Sequence, residues 1–385
     1  MANRETDELF LQRALELARE GIGLASPNPC VGAVIVDTHG AVAGSGTHTY
    51  DGVKHAEILA LEQAGTRARG ATLYINLEPC SHQGRTGPCV EALIVAGIRR
   101  VVACMRDPNP LVGGKGFSRL QTAGVSVSSG IFEQEAKSLN ESFAKYIRHR
   151  VPLVTLKAAM TLDGKIAPPP SPHQAPTSGR TRTDWITGEA ARAHVQQLRH
   201  QNDAIAVGVG TVIADDPLLN DRSGLPRRRP LLRVVLDSHL RLPLESRLVS
   251  SANDDVLVIC SFAEERKKKQ LLDRGVRVEQ TCAASGKGHP DLTAVLTLLG
   301  EMEITSVMIE GGSAVNGAAF AADIVDKVFL FYAPKVLGGD AIPFAEGTGF
   351  ACMSDAPCIK SIRMHQFGDD FAVEGYLKDP YEPCS

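Results

Sequence analysis

In the first 150 residues, segments with apolar side chains at helical spacing alternate with short, continuous apolar runs. The spacing predicts three helices, each followed closely by a glycine that can end it. These helices are residues 6–19, 55–64 and 88–96, and the runs predicted as strands are residues 31–37, 71–77 and 100–105. Strands that alternate with helices of about ten residues indicate a sheet covered by helices.

A domain boundary is predicted near residues 148–152, where Pro152 disfavours continuation of the preceding helix. A second alternation then begins, with a predicted helix at residues 188–200. The predicted strands are residues 153–159, 204–209, 232–236, 256–260, 304–309 and 327–332. Residues 167–182 contain five prolines and little apolar content, so they are predicted to be an exposed loop. We therefore expect two α/β domains, residues 1–147 and residues 151–385.

Composition narrows the function classes. The chain has 385 residues, of which 43% are hydrophobic, which is ample for a buried core in each domain. A net charge of −3 and an aromatic content of 5% argue against a protein that binds nucleic acid through bulk positive charge and stacking. No apolar run approaches the ~20 residues of a membrane helix, and the polar N-terminus lacks a signal-peptide core. Nine cysteines, an odd number spread along the chain, favour a reducing cytoplasm over a disulfide framework.

A candidate metal site stands out in the first domain. His55-Ala56-Glu57 opens a predicted helix, and Pro79-Cys80 and Cys89 follow, which is similar to the His-x-Glu and Pro-Cys-x-x-Cys signature of zinc deaminases. Zinc binds imidazole and thiolate, and a catalytic site leaves one position open for water, whose pKa the metal lowers toward ~7. His55, Cys80 and Cys89 would be three ligands, and Glu57 is close enough to move a proton without being a ligand.

The spacing of the two cysteines departs from that signature, because eight residues separate Cys80 from Cys89 instead of two. The two thiolates still meet if Cys80 follows a strand and Cys89 lies on the next helix. A structural zinc with four protein ligands remains an alternative, with His82 as the fourth, and the first domain would then be a scaffold without catalysis.

Four segments carry a more specific resemblance. They are residues 27–32 (PNPCVG), 55–57 (HAE), 77–89 (LEPCSHQGRTGPC) and 107–110 (DPNP). They resemble the deaminase half of the bifunctional riboflavin-biosynthesis deaminase/reductase family, whose N-terminal domain has a cytidine-deaminase-like fold. The resemblance implies hydrolytic deamination of a diaminopyrimidinone that carries a ribosylamino 5′-phosphate. It also implies that Asn28 contacts the pyrimidine and that Glu57 is catalytic.

The second domain lacks a Gly-x-Gly-x-x-Gly dinucleotide fingerprint in a βαβ context. Glu310-Gly311-Gly312-Ser313 follows a predicted strand and opens a predicted helix, an arrangement that lets backbone N–H groups approach a phosphate. Taken alone, this turn is equally compatible with a simple tight connection. Five segments together resemble the reductase half of the same family, which is similar in fold to dihydrofolate reductase. They are residues 157–167 (KAAMTLDGKIA), 210–220 (GTVIADDPLLN), 236–238 (LDS), 310–312 (EGG) and 333–339 (APKVLGG).

The reductase resemblance implies that NADPH reduces the ribosyl side chain to a ribityl chain. The residues implied for the cofactor are Ala159, Trp185, Thr211, Asp215, Ser238, Gly312, Ser313, Ala314, Val315, Asn316 and Gly317. The residues implied for the substrate are Thr183, Arg199, Leu219, Arg222 and Glu310. The guanidinium forks of Arg199 and Arg222 suit a phosphate, and Trp185, the single tryptophan, offers a flat face for a ring. Lys157 either orients the sugar or pairs with a carboxylate.

Two departures from the family pattern lie in this domain. The proline-rich residues 167–182 form a longer connection than usual before Trp185, beside the predicted nicotinamide pocket. Asp221 precedes Arg222 and would weaken phosphate binding if the two side chains paired. The resemblance covers nearly the whole chain. We expect a cytoplasmic homo-oligomer that acts on a small molecule, without nucleic acid or a membrane. A deaminase of bases in RNA or DNA, with the second domain as a targeting module, is the competing hypothesis.

Overall fold

The computed structural model describes residues 4–82, 87–169, 185–284 and 288–382. The chain forms two compact units. The first holds residues 4–149 and Pro226–Arg229, and the second holds Arg150–Leu225 and Pro230–Glu382. Within the described ranges, no helix combines the length and apolar character needed to cross a membrane.

The first unit is a five-stranded sheet with helices packed on it. Its strands are β1 (Gly32–Val36), β2 (Val42–Thr47), β3 (Thr72–Leu77), β4 (Arg100–Met105) and β5 (Ser126–Ser129), in the order β2-β1-β3-β4-β5. Its helices are α1 (Arg4–Arg19), α2 (Ala56–Ala64), α3 (Cys89–Val95), α4 (Lys115–Thr122), α5 (Glu133–Leu139) and α6 (Glu141–His149). The pairs β1–β2 and β1–β3 are antiparallel, whereas β3, β4 and β5 run parallel. The parallel part therefore brings the ends of β3 and β4 to the same edge of the sheet.

Glycines in β2 hold α2 close against the sheet. A Cβ atom on Gly46 would lie 2.4 Å from the backbone oxygen of Ala56, and one on Gly44 would lie 2.2 Å from that of Ala60. Both distances are shorter than any real Cβ contact, so only glycine permits this approach. The first turn of α2, which follows His55, is thereby fixed relative to the strands.

The second unit is a nine-stranded sheet in the order β11-β10-β9-β8-β12-β6-β13-β16-β15. The strands are β6 (Leu153–Thr161), β8 (Ala204–Gly208), β9 (Leu232–Leu236), β10 (Val256–Cys260), β11 (Val276–Gln280), β12 (Ser306–Ile309), β13 (Lys327–Ala333), β15 (Lys360–Phe367) and β16 (Asp370–Tyr376). The strands β7 (Lys165–Ala167) and β14 (Ile342–Pro343) pair separately. The helices are α7 (Glu189–Gln201), α8 (Val209–Asp215), α9 (Arg247–Ser250), α10 (Glu265–Leu272), α11 (Leu292–Glu301) and α12 (Ser313–Ala321).

The strands from β11 to β13 run parallel, and β15 and β16 are antiparallel additions at one edge. The central strands are buried on both faces; in β10, for example, every residue is buried. In such a sheet, the loops after the carboxyl ends of the strands share one edge, where ligands of α/β proteins bind. The loops after β6, β8, β9 and β12 meet there.

The structure corrects the predicted element pattern in several places. Ala167, predicted as the start of a loop, is the last residue of β7. Residues 170–182 of that predicted loop lie outside the described ranges. The strands β2, β5, β11, β15 and β16 were not predicted, because their apolar content is low or interrupted by polar residues.

We expect Gly46→Ala to destabilise the first unit by about 1–3 kcal/mol, because the new methyl group overlaps the α2 backbone. Native-state hydrogen exchange of the amides in α2 and β2 measures the change within this unit. Val42→Ala on the same strand is the matched control, since Val42 is 51% exposed and should be near neutral. Unchanged exchange in the Gly46 variant would refute the close packing.

Candidate functional site

Three metal-ligating side chains meet in the first unit. His55 immediately precedes α2, Cys80 follows β3, and Cys89 is the first residue of α3. Their ligand atoms all lie within 4.8 Å of one another. His55 Nδ1 is 3.2 Å from Cys89 Sγ and 3.5 Å from Cys80 Sγ. The long connection between the cysteines therefore returns Cys89 to Cys80.

The donor set matches zinc. One imidazole and two thiols are the ligand types that zinc prefers, and three protein ligands leave a fourth position for water. Across the described ranges, no further histidine, cysteine or acidic side chain joins this group. His82, the fourth ligand of the structural alternative, lines the adjacent cavity but is not part of the group.

The two thiols are electrostatically unequal. Hydrogen bonding to Cys89 and to His55 lowers the pKa of Cys80 to about 4, although burial opposes it. The backbone N–H of Cys89 also donates to Cys80 Sγ at 3.4 Å. The hydrogen bond to Cys80 raises the pKa of Cys89 in turn. These contacts favour the thiolate at Cys80 and the thiol at Cys89, and a metal that binds both sulfurs requires both to be deprotonated.

Glu57 lies beside this group in the first turn of α2 and is only 3% exposed. Burial, reinforced by the negative charge of Cys80, raises the pKa of Glu57 to about 7. A carboxyl group that titrates near neutral pH can accept a proton in one step and release it in the next.

A cavity of about 240 Å³ adjoins the metal ligands and Glu57. Its wall includes Asn28, as expected, together with His48, Asp107, Asn109 and Phe143, for which the residue types gave no assigned role. This volume lies below the range typical of drug-sized ligands and suits a single small ring. Burial raises the pKa of Asp107 to about 6.

The side chain of His48 fixes the orientation of Asn28. His48 Nδ1 lies 3.0 Å from the backbone oxygen of Lys54, which can only accept, so Nδ1 carries the proton. His48 Nε2 then accepts from the Asn28 amide nitrogen at 3.0 Å. The amide oxygen of Asn28 is the remaining acceptor for a ligand.

The second unit holds a larger cavity of about 1430 Å³ at the carboxyl ends of β6, β8, β9 and β12. Most of the predicted cofactor and substrate residues line it: Ala159, Trp185, Arg199, Thr211, Asp215, Leu219, Arg222, Ser238, Glu310, Gly312, Ser313, Ala314 and Val315. Asn316 and Gly317 do not. Asn316 is fully buried and donates to the backbone oxygen of Phe344. Thr183 lies outside the described ranges.

Glu310 joins two cations at the wall of this cavity. Its carboxylate accepts from Lys157 Nζ at 2.8 Å and from Arg199 Nη2 at 2.7 Å. Burial opposes ionisation of Glu310, but Lys157 and Arg199 outweigh it and lower the pKa of Glu310 to about 2. Arg199 also donates to the backbone oxygen of Asn220. Most of the donor groups of its guanidinium therefore already bond to Glu310 and Asn220.

Arg222 lines the same cavity. The carboxylate of Asp221, which would weaken phosphate binding if it paired with Arg222, contacts other groups. Asp221 Oδ2 lies 3.1 Å from His200 Nδ1, and Asp221 Oδ1 accepts from the backbone of Ser223. Arg222 is therefore the better placed of the two predicted arginines to meet a substrate phosphate.

The turn before α12 supplies an anion-binding element. Gly311 and Gly312 precede the helix, and Ser313 begins it. Ser313 is 5% exposed and lines the cavity. Its hydroxyl has no hydrogen-bond partner among the described residues. Free backbone N–H groups at a helix N-terminus together with an unpaired hydroxyl suit a phosphate group.

Two family models match the chain. The RibD C-terminal domain matches residues 152–373, and the cytidine and deoxycytidylate deaminase zinc-binding region matches residues 4–105. The riboflavin biosynthesis protein RibD of Actinobacillus pleuropneumoniae is 41% identical over 377 residues, covering 97% of this chain and 96% of that protein. The protein of the same name from Escherichia coli K12 is 40% identical over 378 residues, covering 95% and 98%.

Solved structures agree over the full length. Acinetobacter baumannii RibD, form 1, is similar with a TM-score of 0.80 and 36% identity, covering 97% of this chain and 99% of that chain. The diaminohydroxyphosphoribosylaminopyrimidine deaminase/5-amino-6-(5-phosphoribosylamino)uracil reductase of Thermotoga maritima is similar with a TM-score of 0.79 and 35% identity, covering 99% of each. The α/β fold and the two-part organisation of the fold class are thereby confirmed.

We expect Cys80→Ser and Cys89→Ser each to lose zinc and to destabilise the first unit, because metal binding contributes to folding stability. Metal analysis of the purified protein after exhaustive buffer exchange measures the loss. Cys104→Ser is the matched control, since Cys104 is also buried in this unit but outside the metal group. Full zinc content in either ligand variant would contradict the assignment.

The depressed pKa of Glu310 predicts a pH-dependent stability. Its ionised form is favoured in the folded state, so its contribution is fully present above the unfolded value near 4.5 and is lost as pH falls through about 2. The difference in unfolding free energy between wild type and Glu310→Gln should therefore shrink over this pH range. Urea denaturation at stepped pH measures it, with Glu265→Gln on the exposed face of α10 as the control. A difference that is independent of pH would contradict the ion-pair assignment.

Proposed function

This chain belongs to the RibD family of riboflavin-biosynthesis proteins, and we propose that residues 1–147 carry its deaminase and residues 151–385 its reductase. It is a bifunctional enzyme, a zinc-dependent hydrolase and an NADPH-dependent oxidoreductase. It deaminates 2,5-diamino-6-ribosylamino-4(3H)-pyrimidinone 5′-phosphate and then reduces the ribosyl chain to give 5-amino-6-ribitylaminouracil 5′-phosphate. The assignment of the deaminase to the first unit rests on one observation: His55, Cys80 and Cys89 meet beside Glu57 within that unit.

In the deaminase, His55, Cys80 and Cys89 would hold zinc, and the bound metal would supply an activated water for attack on the ring carbon that bears the 2-amino group. Glu57 would accept a proton from the attacking water and return it to the departing amine, which would leave as ammonia. Its pKa near 7 fits this double role, since neither protonation state is strongly favoured at neutral pH.

Asn28 orients the pyrimidine. His48 Nε2 accepts one of the two N–H groups of the Asn28 amide and so fixes the amide's orientation, and the amide oxygen is then available to the ligand as an acceptor. An acceptor suits the N–H and amino groups of the diaminopyrimidinone edge. His48 therefore acts as a positioning residue for this contact.

In the reductase, the cavity would hold NADPH, which would supply the hydride for reduction of the open-chain sugar. The proposed cofactor contacts are those of the sequence analysis, with the turn at Gly312 and Ser313 facing the phosphates. The proposed substrate contacts are Thr183, Arg199, Leu219, Arg222 and Glu310. Glu310 accepts a hydrogen bond from Lys157 Nζ at 2.8 Å and so holds Nζ at the cavity wall, where it can also donate to a sugar oxygen.

The cellular location, the oligomeric state and the absence of macromolecular partners are also proposals. We infer that the enzyme works in the cytoplasm as a homo-oligomer, without nucleic acid or a membrane. The near-neutral net charge supports the exclusion of nucleic acid. Exposed Ile362 and Met364 on the edge strand β15 provide apolar surface that a second copy would cover.

Glu57→Gln should lower the rate of deamination by about 10²- to 10⁴-fold, because the proton carrier is lost, while zinc remains bound. Ammonia release from the diaminopyrimidinone phosphate without NADPH measures the first step, and NADPH oxidation with deaminated substrate measures the second. The second rate should be unchanged in the variant.

Glu62→Gln is the matched control, since Glu62 lies on the same helix and is half exposed. Loss of zinc in Glu57→Gln would assign Glu57 as a ligand instead. Ammonia release by the wild type from a single-stranded oligonucleotide but not from the free pyrimidine phosphate would favour the nucleic-acid hypothesis.

A further inference from the structure

A short segment at the wall of the large cavity is held through its backbone by side chains from other parts of the second unit. The segment comprises residues 185–188, which precede α7 and belong to no helix or strand. Trp185 begins it, lines the cavity and is 39% exposed. Because the segment lies outside the sheet and the helices, the partners of its backbone groups determine where it lies.

Lys335 bonds two successive peptide groups of this segment. Its Nζ donates to the backbone oxygen of Trp185 at 2.9 Å and to that of Ile186 at 2.8 Å. A charged donor makes stronger hydrogen bonds than a neutral one, although solvent weakens them here because Lys335 is exposed. Lys335 therefore restrains the backbone on the carboxyl side of Trp185.

The backbone that carries Lys335 is itself anchored on the turn between β6 and β7. The backbone N–H of Leu162 donates to the backbone oxygen of Lys335 at 2.9 Å. The carboxylate of Asp163 accepts from the backbone N–H groups of Leu337 at 3.2 Å and Gly338 at 2.7 Å. The ammonium group thus extends from a fixed part of the unit.

The rest of the segment is bonded in a similar way. Arg192 on α7 donates from Nη1 to the backbone oxygen of Thr187 at 2.6 Å. Its guanidinium carbon also lies 5.1 Å from the centroid of the Trp185 ring, within the range of a cation–π contact. The backbone N–H of Gly188 donates to Asp370 Oδ2 at 2.6 Å. Arg192 therefore restrains the indole ring, whereas Lys335 restrains the backbone that carries it.

Lys335 is not among the described residues that line the cavity, whereas Trp185 is. An indole ring at a cavity wall offers a flat apolar face to a planar ligand group. We propose that Lys335 is a positioning residue of the reductase, which holds Trp185 where its ring packs against NADPH. The inference rests on the proposed reductase function and on the proposed contact of Trp185 with the cofactor.

The single tryptophan makes this position measurable in the full-length protein. Lys335→Met and Lys335→Gln each remove the ammonium group from an exposed position, so either variant can test the proposal if the other folds poorly. Without cofactor, the fluorescence anisotropy of the indole should fall in both, because the ring moves more freely. The affinity for NADPH, measured by isothermal titration calorimetry, should weaken about tenfold.

Two further variants serve as controls. Lys335→Arg retains a cationic donor, so it should restore the anisotropy and the NADPH affinity to within about twofold of the wild type. Lys269→Met removes an exposed lysine on α10, outside the described cavity lining, and should change neither quantity.

The two measurements separate failure of this inference from failure of the reductase assignment. Unchanged anisotropy in both variants overturns the positioning role even if NADPH binds more weakly, since a lost long-range attraction does not alter the cofactor-free indole. Lower anisotropy with unchanged NADPH affinity overturns it too, and in both cases NADPH binding by the wild type upholds the reductase. A wild type that binds no NADPH overturns the reductase and this inference with it. Lower anisotropy together with weaker binding, both restored by Lys335→Arg, supports the proposal.

Discussion

The deaminase unit depends on one constraint, the meeting of an imidazole and two sulfurs that come from three different elements. His55 is held where α2 begins, and α2 is held against β2 by glycines that admit no side chain. Cys80 is fixed by the end of β3, and Cys89 by the start of α3. The eight-residue separation of the cysteines is a small obstacle, since the entropy of closing a loop grows only slowly with its length. What matters is that both loop ends are anchored on regular structure.

Two buried glutamates show how the same side chain serves opposite purposes in the two units. Glu57 is buried without a cationic side chain bonded to it among the described residues, and burial holds its pKa near 7, where it can exchange a proton. Glu310 is less deeply buried, with its side chain 18% exposed, and lies between Lys157 and Arg199, which keep it ionised far below neutral pH. A permanently charged carboxylate is a poor proton carrier and a good anchor for cations. Environments that drive two carboxyl groups apart in this way mark different chemical roles.

The sequence predicts the parts of the molecule that are encoded locally. The strands β4, β9 and β10 have the predicted bounds, because each is a short, mostly apolar segment whose residues are nearly all buried. The strands β2 and β15 escape prediction because their hydrogen bonds come from partner strands while their side chains are small, polar or exposed. The metal ligands were found from residue type and spacing. The pairing of His48 with Asn28, or of Lys157 with Glu310, joins residues 20 and 153 positions apart and leaves no local signal.

The glycine turn before α12 shows why a conspicuous motif need not be a contact surface throughout. Gly312 and Ser313 line the cavity, whereas a Cβ on Gly317 would lie 1.6 Å from the backbone oxygen of Glu346. Gly317 therefore lets the helix approach the segment at Glu346, and the buried amide of Asn316 ties the helix to Phe344. These two residues set the position of the helix, and the helix position sets where its N-terminal amide groups point. A residue can thus affect the binding of a phosphate that it does not contact. A sequence motif alone does not separate such a residue from one that contacts the phosphate directly.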